Sequence, residues 1–551
     1  MAIESLFGSV ANYSLEHPLL FTFYAFLGLV VGYVAVTEVQ RSKARIPGFD
    51  GPTGLPIVGN IHQIRVNAAE QYRLWRDQYG PVYQIMLGNI PVIIINSAAA
   101  AREIFGANSQ ALASRPEMYT FHKVVSSTAG TTVGTSPYSE SLKRRRKGAA
   151  SALNKPSIAT YIPHIDVETR AFVREFLDYG ANGTKLVDPM PMIHRLPLSL
   201  ALTLNWGTRI ASQSDSLFDE ICYVEEEVSK FRSTTGNLQD YIPILRLNPF
   251  SVGSKKAREM RQRRDVYLTK LNKDLDDRME KGTHKPCIQA NVILDDEAKL
   301  NKEELTSISL TMLSGGLDTL TTLVAWSMAL LAEHPEIQEK ALRAIREKYS
   351  ATADGILCDE NDDQSIPYIV ALIRELLRYY TVLRLSLPRA SVKPIKSRFN
   401  NGATIPTGTM VFLNAWACNM DPEIWGDDFL EFRPERWLEK PDAPLFTYGL
   451  GYRMCAGSLL ANREMYTIYL RLISAFSIEG CVAVEGHGHG GAGKGVGDVE
   501  MGKVDTHPVR GVEDQTQLVS VPRRYKVRMV PRDEKVLMEA LSQGGVKEGA
   551  H

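Results

Sequence analysis

Cysteine is scarce in this chain: its six cysteines are scattered over 551 residues without any Cys-x-x-Cys pair. Disulfide-rich domains are short and dense in cysteine, and zinc ribbons need closely spaced cysteine pairs. The sequence therefore predicts neither a disulfide framework nor a zinc ribbon, and it favours a reducing compartment. The middle of the chain also lacks a strong linker, which predicts one large catalytic unit with short appendages.

Net charge is also missing, because 63 basic residues balance 63 acidic residues. Nucleic-acid-binding domains usually carry a net positive charge. The balance therefore predicts no nucleic-acid partner. It leaves a membrane or a small molecule open as the partner.

Long hydrophobic runs are absent except near the N-terminus, where residues 18–37 read PLLFTFYAFLGLVVGYVAVT without a charged side chain. A helix of about 20 such residues crosses a ~30 Å hydrocarbon layer. Basic residues follow the run and predict that the downstream chain lies in the cytosol. We therefore predict a single-pass transmembrane helix, with a buried core helix as the alternative. The segments are a lumenal N-terminus over 1–17, an anchor over 18–37, and a basic and Pro/Gly-rich hinge over 38–60.

The rest of the chain is predicted to be mainly α with small β-sheets. Residues 81–96 alternate around a Gly-Asn pair, which predicts a hairpin, and residues 98–348 have helical periodicity. Residues 485–503 are Gly-rich and predict a flexible surface insertion. Residues 534–551 are interpreted as a loose C-terminal tail. The catalytic domain is accordingly expected over 61–533.

A glycine-rich stretch near the C-terminus, residues 446–457, surrounds one cysteine with the sequence FTYGLGYRMCAG. Glycines at these spacings let the backbone turn tightly and approach a flat partner. Backbone N–H groups and a following helix N-terminus favour a thiolate, and the apolar periodicity from Leu459 predicts that helix. Arg453 is suited to balance the carboxylates of a prosthetic group. The pattern thus favours Cys455 as a thiolate ligand over a structural thiol, which would not need the glycines.

The stretch resembles, without a mismatch, the haem-ligand loop F-x-x-G-x-G-x-R-x-C-x-G of the cytochrome P-450 monooxygenases. The resemblance implies the cytochrome P-450 fold and a haem b whose iron is bound by the Cys455 thiolate. It assigns Phe446, Gly449 and Arg453 to the haem site as well. It also implies electrons from NADPH, delivered by NADPH-cytochrome P-450 reductase, and a location in the endoplasmic reticulum membrane.

Two further elements of the family pattern stand upstream in the family's order. Glu375 and Arg378 match its E-x-x-R pair, whose side chains meet on one helical face. Arg436, in the segment FRPERW, matches the third member of a Glu-Arg-Arg network. By resemblance, this network braces the core on the haem side.

The segment GGLDT, residues 315–319, lies in an apolar helical run and resembles the oxygen-binding part of the family's central helix. By resemblance, Gly315 leaves room over the haem, Asp318 feeds protons from solvent, and Thr319 holds the hydrogen bonds at dioxygen. The alternative is a threonine bonded to its own helix beside a solvated aspartate. The cysteine loop favours the proton relay.

Arginines match two propionate-binding positions of the family. Arg146 is the arginine of a Trp-x-x-x-Arg pattern in which Leu142 replaces the tryptophan, so the arginine contact is expected without the tryptophan contact. Arg389, fourteen residues after Glu375, matches the second position. The basic run around Arg146 is expected to face solvent or the electron donor.

Arg384, in TVLRLSLPR, is the main candidate for substrate recognition. Family members usually carry an apolar residue or proline there, and a buried arginine needs an anionic partner, which a substrate carboxylate would provide. The alternative is that Arg384 pairs with a protein carboxylate or turns to solvent. His122 is a second candidate.

Residues 48–60 and 130–163 are similar to the fungal hydroxylases of phenylacetate and 3-hydroxyphenylacetate. This resemblance implies that the chain uses O2 to hydroxylate a small aromatic acid, and it favours 6-hydroxylation of 3-hydroxyphenylacetate to homogentisate. Three alternatives stay open: phenylacetate 2-hydroxylation, oxidation of a larger neutral secondary metabolite, and a non-catalytic haem protein or thiolate-haem isomerase.

Overall fold

In the computed structural model the described residues are 17–126, 131–233, 236–248, 251–294, 300–485 and 499–543. The first helix, α1 (Pro18–Ala44), has a proline in its first turn, where no backbone donor is lost. Its most apolar window has a mean hydropathy of 2.2 and no buried residue. The helix includes residues 18–37 and continues through the first residues of the expected hinge. Such an exposed apolar helix is suited to a membrane anchor.

Helices form most of the remaining fold. The α-helices are α2 (Ile61–Ile64), α3 (Ala68–Tyr79), α4 (Ala98–Ala101), α5 (Glu140–Ala152), α6 (Lys155–Tyr179), α7 (Met190–Trp206), α8 (Ser216–Lys230), α9 (Val252–Glu280), α10 (Ile288–Ile293), α11 (Lys302–Glu333), α12 (Pro335–Arg346), α13 (Pro367–Tyr380), α14 (Ala415–Asn419), α15 (Pro422–Trp425), α16 (Arg436–Glu439), α17 (Ser458–Ala475) and α18 (Glu534–Gln543). Short π-helices cover Arg102–Ala107 and Tyr119–Val125, and short 3-10 turns cover Leu238–Asp240, Pro243–Leu247, Arg398–Asn400 and Gly451–Arg453.

The strands of the described residues form small sheets. They are β1 (Val82–Leu87), β2 (Ile90–Ile95), β3 (Leu186–Val187), β4 (Arg389–Ala390), β5 (Ile395–Lys396), β6 (Thr404–Ile405), β7 (Met410–Leu413), β8 (Phe476–Glu485), β9 (Val499–Lys503) and β10 (Tyr525–Pro531). Their orders are β1-β2-β7-β4, β3-β10-β8-β9 and β5-β6. The prediction of a mainly α chain with small sheets is confirmed.

The predicted hairpin is also confirmed, because β1 and β2 pair in antiparallel register from Val82↔Ile95 to Leu87↔Ile90. Gly88 in the turn has a φ of +60°, which favours glycine. A Cβ there would lie only 2.5 Å from the carbonyl oxygen of Tyr241. The turn therefore needs glycine for its conformation and for a close approach.

Helix α11 runs through the core. Its start has a capping box, in which Asn301 and Glu304 exchange side-chain and backbone bonds. About two thirds of its most apolar window is buried (67%), which identifies it as a core helix and not a second membrane span. The indole of Trp326 stacks on Tyr380 of α13 at 4.4 Å. Helix α11 thus forms the central support for the residues around 315–319.

Two expectations about the C-terminal part were wrong. Residues 499–503, the end of the expected insertion, form β9 and pair with β8, while 486–498 lie outside the described residues. The expected tail begins with helix α18, because Leu537, Ala540 and Leu541 recur at helical spacing and are buried. Residues 544–551 lie outside the described part of the chain.

Candidate active site

The loop 446–457 is shaped by left-handed glycines. Gly449 and Gly451 have φ values of +71° and +63°. A Cβ on Gly451 would lie 2.4 Å from the Cβ of Ser109, so a larger residue is excluded by contact as well as by conformation. Phe446 is fully buried, and its N–H donates to the side-chain oxygen of Asn419 at 2.8 Å. The loop is therefore fixed at its start and at its turn.

Cys455 lies at the end of this loop, immediately before α17. Its N–H donates to the carbonyl oxygen of Tyr448 at 2.9 Å, and its side chain remains accessible. The surrounding protein raises the pKa of the thiol by desolvation, whereas the N–H of Gly457 and the charge of Arg146 oppose this rise. The thiol is thus accessible to a ligand, and its thiolate has two sources of positive potential.

Four arginines near this loop form a cluster of positive charge: Arg115, Arg146, Arg389 and Arg453. Burial, followed by repulsion from Arg146 and Arg389, lowers the pKa of Arg453 to about 9. Burial and Arg146 lower the pKa of Arg389 to about 10. Among the ion pairs of the described residues, none involves any of these four side chains. Buried cations without a counter-charge predict an anionic ligand.

The four guanidinium groups differ in how many donors remain. Arg453 donates to the backbone carbonyls of Ala113, Val133 and Ser136 at 2.9 to 3.0 Å. Arg389 donates to the carbonyl of Leu450 through Nη2, whereas its buried Nη1 has no partner among the described residues. Arg146 lies over the ring of Tyr452 at 5.2 Å. Arg389 and Arg146 therefore retain donors for an anion, and Arg453 mainly positions the loop.

Arg115 is a member of this cluster that was not predicted from the sequence. Its Nε donates to Gly134 at 3.0 Å and its Nη1 to Pro388 at 2.9 Å. Burial and the neighbouring arginines hold its pKa well below the usual range. No motif marks this position, because its neighbours in space are distant in sequence.

Small residues of α11 border open space. Gly315 is exposed, and a Cβ there would meet no atom within 4 Å. The hydroxyl of Thr319 donates to the carbonyl of Gly315 at 2.8 Å, the bond to its own helix that the alternative interpretation expected. That bond uses only the hydroxyl proton. The lone pairs of the oxygen remain available as acceptors.

The alternative interpretation expected a solvated Asp318, whereas its side chain is largely buried. Its carboxylate forms an ion pair with Arg232, at 3.4 Å, and Arg232 follows the end of α8. Burial raises the pKa of Asp318 to about 6, although Arg232 opposes the rise. Asp318 also lines an open cavity, together with Thr322 and Gln517.

Glu375 is the centre of the predicted Glu-Arg-Arg network. It accepts two bonds of 2.8 Å from Arg378 and one of 3.1 Å from Arg436, and all three side chains are buried. The indole N–H of Trp437 donates at 3.0 Å, and the backbone N–H of Arg433 donates at 2.8 Å. The last two donors are not part of the sequence motif and were not predicted. Glu375 is fully satisfied and joins α13 to the segment that contains α16.

Comparison with known proteins gives the family. A family model described as cytochrome P-450 matches residues 49–486, more than half of the chain. The chain belongs to the cytochrome P-450 family. The matched region of this P-450 includes the cysteine loop, GGLDT and the Glu375 network. The family implies a haem-thiolate monooxygenase that uses O2 and a redox partner.

Curated relatives match almost the whole length of this P-450. A 3-hydroxyphenylacetate 6-hydroxylase of Emericella nidulans is 63% identical over 542 residues, which cover 98% of this chain and 100% of the relative. A phenylacetate 2-hydroxylase of the same organism is 40% identical over 536 residues, covering 94% and 96%. A cytochrome P-450 monooxygenase of Mycosarcoma maydis is 36% identical over 524 residues, covering 92% of each chain.

The side chains of this P-450 fit a haem group. The accessible Cys455 thiol fits an iron ligand, the orphaned Nη1 of Arg389 fits a propionate, and a Cβ added at Gly315 or Gly457 would meet no atom within 4 Å. Leu142, at the tryptophan position of the family, is fully buried, and its hydrocarbon side chain has no hydrogen-bond donor for a propionate.

The two candidates for substrate recognition differ. Both ring nitrogens of His122 are engaged by backbone: Nδ1 accepts from the N–H of Met118 at 2.9 Å, and Nε2 lies 3.1 Å from the carbonyl of Thr135. Burial lowers its pKa, and because both ring nitrogens already face backbone groups, neither is left for a carboxylate. Arg384 is buried as well, and burial lowers its pKa to about 10 while the charge of Glu70 raises it.

Proposed function

We propose that this P-450 hydroxylates 3-hydroxyphenylacetate at ring position 6 and so forms homogentisate. The observation that carries the proposal is the 63% identity to the 3-hydroxyphenylacetate 6-hydroxylase over 98% of this chain. The buried Arg384 supports an acidic substrate, because a buried cation favours an anionic partner. The second candidate is phenylacetate 2-hydroxylation, which rests on the weaker 40% identity.

The residues of the site have distinct roles in this proposal. Cys455 holds the haem iron, with Phe446, Gly449 and Arg453 fixing its loop, and Arg146 and Arg389 hold the propionates. Haem held by these residues would supply dioxygen activation, with one oxygen atom entering the aromatic ring and the other leaving as water at the expense of two electrons and two protons. The network of Glu375, Arg378 and Arg436 braces the core on the haem side.

Proton delivery is assigned to the α11 residues. A pKa of about 6 lets Asp318 both hold and release a proton near neutral pH. Thr319 accepts hydrogen bonds through its free lone pairs and orients the proton toward the reacting oxygen atoms, beside the open space at Gly315. A Thr319→Ala variant is expected to lower the ratio of product to NADPH consumed, and an unchanged ratio would argue against this role.

Helix α1 anchors the protein in the endoplasmic reticulum membrane as a single span, with the catalytic domain in the cytosol. The exposed apolar surface of the helix supports the span, and the basic residues after the span support this orientation. NADPH-cytochrome P-450 reductase in the same membrane supplies the electrons.

The test uses the full chain in microsomes with that reductase and NADPH. With 3-hydroxyphenylacetate we expect a high-spin shift of the haem spectrum and homogentisate as the product, and with phenylacetate a slower reaction. Preferred formation of 2-hydroxyphenylacetate would favour the second candidate. Absence of a spectral shift and of product with both acids would overturn both.

A further inference from the structure

An open, mainly polar cavity lies beside Arg384. Its lining is rich in hydrogen-bonding side chains: Asn67, Ser233, Arg384, Ser386, Gln515 and Gln517. Gln517 also lines the cavity that contains Asp318, so the two spaces are neighbours. A ligand in the cavity beside Arg384 therefore lies next to the cavity that Asp318 lines.

Arg384 lines this cavity, and one of its hydrogen-bond donors is unsatisfied. Its Nη2 donates to the carbonyl oxygen of Pro508, and its guanidinium lies 5.4 Å from the centre of the Trp416 ring. Its Nε is buried and has no partner among the described residues. The residue has a relative exposure of only 6%. A buried N–H without an acceptor costs free energy unless a ligand supplies one.

Ser386 provides a second unsatisfied group at the same cavity. Its hydroxyl is buried and also has no partner among the described residues. The protein carboxylate that acts electrostatically on Arg384 is Glu70, but Glu70 is already engaged by two bonds of 2.8 and 2.9 Å from Arg73. No ion pair to Arg384 occurs among the described residues.

We infer that Arg384 and Ser386 together bind the carboxylate of the aromatic substrate. The inference rests on the proposed function and adds the residues that select an acid over a neutral compound. A guanidinium N–H and a hydroxyl each donate to one carboxylate, which satisfies both orphaned groups. Trp416 supports the guanidinium from its face.

The first experiment uses the wild-type holoenzyme and two ligands of similar shape. Spectral titration compares 3-hydroxyphenylacetate with the neutral 2-(3-hydroxyphenyl)ethanol. A bond between a buried cation and a carboxylate predicts that the acid binds about 10- to 100-fold more tightly. Equal dissociation constants for the two ligands would overturn the inference without any variant.

The second experiment tests whether Arg384 and Ser386 cause the preference for the acid over the alcohol. Arg384→Met is expected to weaken binding of the acid about 10- to 100-fold and to leave binding of the alcohol within about twofold. Ser386→Ala is expected to weaken binding of the acid about 2- to 10-fold. The matched control is Arg374→Met, because Arg374 also donates to a proline carbonyl, that of Pro441, and lies 4.0 Å from a tryptophan ring.

The reduced carbon monoxide spectrum verifies the haem site of each variant. An Arg384→Met protein with a normal spectrum and wild-type affinity for the acid contradicts the inference. If that variant lacks haem, the inference is decided by Ser386→Ala and by the comparison of the acid with the alcohol in wild type. If wild type forms no product from 3-hydroxyphenylacetate, the proposed function fails, whereas the carboxylate site is still tested by the same comparison with phenylacetate and 2-phenylethanol.

Discussion

Two groups of buried arginines differ in whether a carboxylate accompanies them. Arg378 and Arg436 share Glu375 at 2.8 and 3.1 Å, and Arg436 also pairs with Asp428 at 3.3 Å, so each cation has a carboxylate partner inside the fold. Arg389 and Arg453 repel Arg146 and form no ion pair among the described residues. The first arrangement holds the chain together, whereas the second costs free energy until an anion binds. Burial of arginine therefore has opposite meanings at the two places.

Removing the shared carboxylate breaks the first group and has the largest expected effect. Glu375→Gln leaves the buried Arg378 without a carboxylate and Arg436 with Asp428 alone, and it is expected to cost about 3–5 kcal/mol of unfolding free energy. Denaturant unfolding and the reduced carbon monoxide spectrum measure the effect. Glu439→Gln, which removes an exposed carboxylate bound to Arg433, is the control.

Removing one cation from the second group sharpens the contrast. Arg389→Met deletes an unpaired charge, so the unfolding free energy is expected to change by less than about 1 kcal/mol, while release of haem to a haem-binding acceptor protein accelerates about 10-fold. A variant that is strongly destabilised but releases haem at the wild-type rate would place Arg389 in the structural group.

Asp318 lies between the two groups, because it has a cationic partner and yet a raised pKa. Its folded pKa of about 6 exceeds the unfolded value of about 3.9. Between about pH 4 and pH 6, the folded state therefore keeps a proton on Asp318 that the unfolded state has released. The stability that this proton contributes is lost as the pH rises through that range. The unfolding free energy of wild type should fall relative to Asp318→Asn over that window, measured by denaturant titration at several pH values. Parallel curves would contradict the raised pKa.

An exposed pair gives the smallest expected effect. Arg433 binds Glu439 at the surface, where both side chains remain solvated. Arg433→Met is expected to change the unfolding free energy by at most about 1 kcal/mol, because exposed ion pairs contribute little. A loss as large as that of Glu375→Gln would show that burial is not the property that separates the groups.

The sequence predicted those parts of the site that local spacing determines. The cysteine loop, the pair Glu375 and Arg378, and the segment 315–319 each depend on residues a few positions apart, where turn and helix geometry decide the contacts. Arg232 is different, because it reaches Asp318 across 86 positions. Arg115 is likewise positioned by tertiary packing, which no local pattern reveals. Helix α18 had a readable apolar period that the sequence interpretation did not use.

The pairing of β8 with β9 has a practical consequence for protein engineering. Residues Glu485 and Val499 are opposite each other in the antiparallel register. Cα atoms of such partners are about 4.5–5.5 Å apart, a gap that a two-residue Asn-Gly turn can bridge. The ends of segment 486–498 therefore form a ready insertion point: a tag or reporter can be exchanged there without altering the distance between the flanking strands.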